Sequence, residues 1–229
     1  MQIAAEMARA GTECSGQNWS GAYCRFPWVD EVTLALIGYE LCGTYLLDPN
    51  DPKGFRNTTQ PLTSVAQVDR FLNRHGNRKG TGLARRALSL VHDGSHSPME
   101  TAMALQLTGP RRVGGMGLPP GKLNCHIATS TGDRWVDLGW KDKGVGVEYQ
   151  GKAWHADAEA DDRRRNLVVA SGMNLFVARF KDLSSVDLFD RLAQGIARSL
   201  GLRIRVRDRD FYARRSALWR VVLPPIDRA

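Results

Sequence analysis

Two short apolar runs, Val136-Asp137-Leu138-Gly139-Trp140 and Gly146-Val147-Glu148-Tyr149-Gln150-Gly151, each carry one acidic residue and flank a Lys-Asp-Lys-Gly turn at residues 141–144. This is the pattern of a β-hairpin. If the runs pair, Asp137 and Glu148 converge at one edge of the sheet. Two carboxylates held together there relieve their repulsion by binding a hard divalent cation or by a raised pKa. Gln150 alternates with Glu148 along the strand and emerges on the same face. It cannot act as a base or carry positive charge, but it can orient a water or ligate a metal weakly through its amide oxygen. Ser97-Pro98-Met99-Glu100 reads as a helix start, where Glu100 can close a capping box on Ser97. Asp161 and Arg164 lie about one helical turn apart and can pair.

The elements that must position these residues follow from periodicity. Ser97–Leu107 is expected to be a helix, and residues 110–122, with four glycines and three prolines, a loop. Asn124–Ser130, Arg134–Trp140 and Gly144–Tyr149 read as three strands. Asp157–Ser171 reads as a helix closed by Gly172, Leu175–Phe180 as a buried strand, and Val186–Leu200 as an amphipathic helix ended by Gly201. Leu202–Arg207 alternates apolar and basic residues, as a half-exposed strand would. Ahead of this α/β region, Val29–Leu41, Ser64–Asn73 and Gly82–Val91 are expected to be helical, with a loop over Asp48–Pro61 and an irregular start to about residue 27. The division expected is a mostly helical accessory region, 1–95, and an α/β domain, 96–229, built on a mixed sheet of about four strands flanked by helices.

Composition narrows the function classes. The 229 residues carry a net charge of +8. No run approaches the roughly 20 apolar residues that span a bilayer, and the N-terminus lacks the pattern of a signal peptide. A cytoplasmic protein with no membrane partner is expected. Cys14, Cys24, Cys42 and Cys125 are scattered and read as ordinary reduced thiols. The positive charge gathers at Arg78-Lys79, Arg85-Arg86 and Arg111-Arg112, and most densely at Arg203, Arg205, Arg207, Arg209, Arg214, Arg215 and Arg220. Such clusters either keep a surface solvated or follow a phosphate backbone. Arg203, Arg205 and Arg207 are expected to line a groove leading to the Asp137 and Glu148 edge. The alternative is internal pairing of the C-terminal arginines with Asp208, Asp210 or Asp227.

The ordered set resembles the PD-(D/E)XK nuclease superfamily, and within it the branch of small domains related to the very-short-patch repair endonuclease. Members typically read S-P-x-E, D-x-x-W, E-Y-D-G-x-x-H, D-x-x-R and a G-W-x-V-x-R-F strand. Here these are Ser97–Glu100, Asp137–Trp140, Glu148–Gly151 with His155 one residue later than the pattern sets it, Asp161–Arg164 and Gly172–Phe180 with two residues more than the pattern, over about residues 95–200. Gln150 departs from the branch's Asp and the superfamily's Lys, and Met173 from its Trp. The resemblance implies a restriction-endonuclease-like fold and a Mg²⁺ (or Mn²⁺) site held by Asp137, Glu148, the main-chain carbonyl of Tyr149 and, directly or through water, Glu100. It also implies His155 as a general acid or base, the alternative being a surface histidine, and Arg164 as a contact to the scissile phosphate.

The expectation is a metal-dependent nuclease acting on nucleic acid, with DNA the leading substrate and homodimerisation left open. The alternative is a DNA-binding or regulatory protein of defence or toxin–antitoxin type that keeps the fold with weak or lost catalysis. Some relatives of the branch place a winged-helix segment first, but residues 1–95 show no clear helix-turn-helix.

Overall fold

The computed structural model describes residues 28–76, 78–151, 158–206 and 208–223, the stretch 158–161 by its backbone alone. Helix α1 (Val29–Cys42) is followed by a two-stranded antiparallel ribbon, β1 (Tyr45–Leu47) and β2 (Phe55–Asn57). The second strand lies inside the segment expected to be a loop. Its proline and asparagine content hides a tight turn, in which Asp48 N–H donates to the Gly54 carbonyl at 3.0 Å and Phe55 packs edge-on against Tyr45. Helices α2 (Val65–Arg74) and α3 (Thr81–Leu88) come next, α2 opened by a capping box between Ser64 and Gln67.

The second half is α/β as expected. Helix α4 (Pro98–Thr108) starts where Ser97 Oγ accepts the Glu100 N–H at 3.2 Å. Strands β3 (Lys122–Thr129), β4 (Gly132–Trp140) and β5 (Val145–Gln150) form an antiparallel meander. After helix α5 (Ala158–Ala170), strand β6 (Asn174–Arg179) pairs with β5 in parallel. The order β3-β4-β5-β6 makes a mixed four-stranded sheet. The 141–143 turn ends at Gly144, whose φ of 59° is left-handed and suits glycine. Short helix α6 (Phe180–Ser184) and helix α7 (Val186–Ser199) follow, and helix α8 (Phe211–Val222) closes the described chain.

Val136, Cys125 and Ile127 face Val168 of α5 and Met173, forming a small core on one side of the sheet. On the other side, Leu123, Leu138, Val145 and Val147 join a larger core with α1, α4, α7 and α8. The N-terminal helix α1 therefore shares its apolar interior with the sheet. Glu31, buried on α1, ties this core to its surroundings through Arg86 at 3.3 Å and Arg112 at 2.5 Å.

The strand expected at Leu202–Arg207 is not formed over the described residues 202–206. Leu202 N–H returns to the Ala197 carbonyl, and the Arg205 carbonyl accepts from Arg111 Nη1 at 2.7 Å, so these backbone groups are bound outside any ladder. Ile204 and Val206 rest on the large core while Arg203 and Arg205 are exposed. The alternation is that of a chain lying on a surface.

Candidate functional site

The site begins where the sheet comes apart. β4 and β5 pair at Trp140 with Val145, Gly139 with Gly146 and Leu138 with Val147, and the ladder ends one residue before Asp137 and Glu148. There the Asp137 carboxylate stands in for a ladder carbonyl, its Oδ2 accepting the Tyr149 N–H at 2.7 Å. β5 keeps its pairing with β6 through Gln150 and Arg179. On the other flank, β3 pairs with β4 at Leu123–Leu138 and Cys125–Val136 but not at the intervening Asn124 and Asp137. Asn124 has φ 46°, the one positive φ outside glycine among the described residues. Asparagine is among the few side chains that tolerate this region, and such backbone gathers at functional sites.

Three carboxyls feel one another's charge around this gap. The Asp137 pKa is pushed up to about 7, first by burial and then by the charges of Glu100 and Glu148, against the lowering effect of the Tyr149 amide and Arg164. Glu148 is 4% exposed, with Arg164 Nη2 at 3.2 Å from Oε1 and Arg165 Nε at 3.9 Å from Oε2. Glu100 serves its own helix start and the acid cluster together. Its Oε1 accepts the Ser97 hydroxyl and its Oε2 the His96 N–H, both at 2.9 Å, and burial raises its pKa.

The structure thus brings Asp137, Glu148, Glu100, Tyr149 and Arg164 together. Arg164 is committed to Glu148. Gln150 is at the same strand end, but its amide oxygen accepts from Arg179 Nε and Nη2 at 3.4 and 3.3 Å. Arg203 and Arg205 lie on the 202–206 segment, where Arg205 is tied to Arg111 through its carbonyl. His155, Arg207 and the Asp161 side chain fall outside the described residues. Internal pairing accounts for part of the C-terminal charge: Arg214 pairs with Asp208, and buried Arg215 lies 3.5 Å from Asp190 and 4.1 Å over the Phe189 ring.

Two residues at the site, His96 and Asn124, carried no weight in the sequence, and a third, Arg179, lay in the G-W-x-V-x-R-F strand without a role assigned to it. His96 Nε2 lies 2.8 Å from Asn124 Nδ2, with burial lowering its pKa. Arg179 sets a guanidinium beside Gln150. The register of a parallel pair could have found Arg179; nothing in residue spacing links His96 to Asn124.

Two of the three acids are candidate metal donors. Among the described residues no three His, Cys, Asp or Glu side chains are close enough to hold an ion, because Glu100 is turned to Ser97 and His96. Asp137 and Glu148 remain as a candidate donor pair, and a cation beside them would ease the ionisation that burial opposes at Asp137. The chain matches no known protein family, no curated protein and no solved structure.

Proposed function

We propose that this chain is a metal-dependent nuclease with a restriction-endonuclease-like fold, hydrolysing phosphodiester bonds, with DNA as the favoured substrate. The observation that carries the reading is the acid gathering at the parting of β4 and β5, where the Asp137 pKa rises to about 7. Folding gains nothing from buried carboxyls that repel one another, so their placement points to a cationic ligand. Asp137 and Glu148, with the carbonyl of Tyr149, would hold Mg²⁺ or Mn²⁺, and Glu100 would act through Asp137. The ion supplies charge neutralisation and a lowered pKa for water at a phosphoryl centre. Arg164 and Arg165 offset the charge of Glu148, and Arg179 supplies the positive charge that Gln150 lacks. Exposed Arg203 and Arg205 belong to the basic surface of a chain with net charge +8.

One observation favours a second reading, a protein that binds DNA without cutting it. The Gln150 amide oxygen is already engaged by Arg179, so this side chain neither accepts a proton nor ligates in the arrangement seen. Incubation with supercoiled, linear and single-stranded DNA, and with RNA, in Mg²⁺ or Mn²⁺ against EDTA separates the two. Metal-dependent cutting of any of these supports the enzyme. DNA binding without cutting in either metal supports the second reading.

A further inference from the structure

We infer that Trp135 is a stacking platform for an unpaired base of the bound strand, next to the acid site, so that the chain prefers single-stranded or locally unpaired nucleic acid. This deepens the nucleic-acid reading above and rests on it. Trp135 is 47% exposed on β4, in the middle of a sheet strand whose neighbour Val136 is fully buried. Side chains alternate along a strand, so Trp135 lies on the face away from α5. His126 stands opposite it in the β3–β4 register, its ring 5.5 Å away and nearly edge-on at 62°. His126 is fixed in turn, Nε2 lying 2.8 Å from Asp133 Oδ1. The indole is therefore braced at its edge while much of its surface stays in water.

The position of this pair suggests its occupant. Asn124, two residues before His126 on β3, reaches His96 at 2.8 Å, and His96 gives its N–H to Glu100. Asp137 is two residues after Trp135 on β4. Two residues of strand advance the chain by about 7 Å, so the indole lies within a nucleotide's reach of the carboxyls. A phosphate held at the acids brings its own base or the next to this face. An aromatic face accepts any base, but only one not enclosed in a duplex.

The test is equilibrium binding in EDTA, read by fluorescence anisotropy, of the full chain to a labelled oligothymidine and to an abasic strand of equal length, which keeps the phosphates and lacks the bases. The wild type should bind oligothymidine about 10-fold more tightly than the abasic strand. Trp135→Ala should erase that difference by weakening oligothymidine alone, and Trp135→Phe should keep most of it. Unchanged oligothymidine affinity in Trp135→Ala, or equal loss on both strands, overturns the inference. Cleavage by the wild type in Mg²⁺ is scored separately. Base-dependent binding without cleavage retains the platform and removes the hydrolase, whereas cleavage with no Trp135 effect does the reverse.

Discussion

Burial, Glu100 and Glu148 all oppose ionisation of Asp137. Because its folded pKa, about 7, stands above its ordinary 3.8, the proton is held more tightly in the folded chain. That contribution to stability is complete below about pH 4 and is lost as pH rises through 7. Asp137→Asn keeps an oxygen for the Tyr149 N–H and removes the ionisable group. In EDTA the variant should match the wild type near pH 4 and melt about 3 °C or more above it at pH 8. Equal melting temperatures across that range would mean that the carboxyl ionises freely. For catalysis, Asp137→Ala or Glu148→Ala should abolish cleavage and leave DNA affinity largely intact, since each acid repels phosphate until a cation neutralises it. A variant that cuts as fast as the parent would move the centre elsewhere.

The elements divide into those whose sequence announces them and those made by tertiary contact. Arg203 and Arg205 sit on a segment laid across the core, with Arg207 just beyond the described part of it. Replacing the three by Gln should weaken binding to all sequences alike and flatten the dependence of log K on log salt by roughly one unit per lost phosphate contact. An unchanged slope would show that these side chains do not touch the strand. The hairpin, the Ser97 start of α4 and the strand β6 were legible because alternation, caps and glycines are local signals, whereas the parallel pairing of β6 with β5 was not. β2 was not, since three residues between turns carry too little pattern. Nor was α8, where Arg214 and Arg215 pair with Asp208 and Asp190 instead of facing water, so its inward side does not read as apolar. The acids of the site were legible from their unusual setting among buried residues, whereas His96 and Asn124 meet only through the fold.

At the scale of the whole molecule, one apolar core runs from Trp28 and α1 through α4 and the sheet to α7 and α8. The helical first half and the α/β second half therefore hold each other's interior. Calorimetry should give a single unfolding transition, and the calorimetric and van't Hoff enthalpies should agree. Two resolved transitions would assign the halves separate cores. The clamp of Glu31 on Arg86 and Arg112 works in the same sense, joining α1 to α3 and to the loop after α4.

The bond from the Tyr149 amide to Asp137 Oδ2 makes the site able to report its own state. Most sheet amides face a neutral carbonyl, but this one faces an oxygen whose charge changes near neutral pH. Its proton resonance should move with the titration of Asp137, and move again when a cation draws on the same carboxylate. A two-dimensional amide spectrum would then read proton and metal occupancy at one cross-peak, with no substrate present. Loss of that response in Asp137→Asn would assign the signal to the carboxylate.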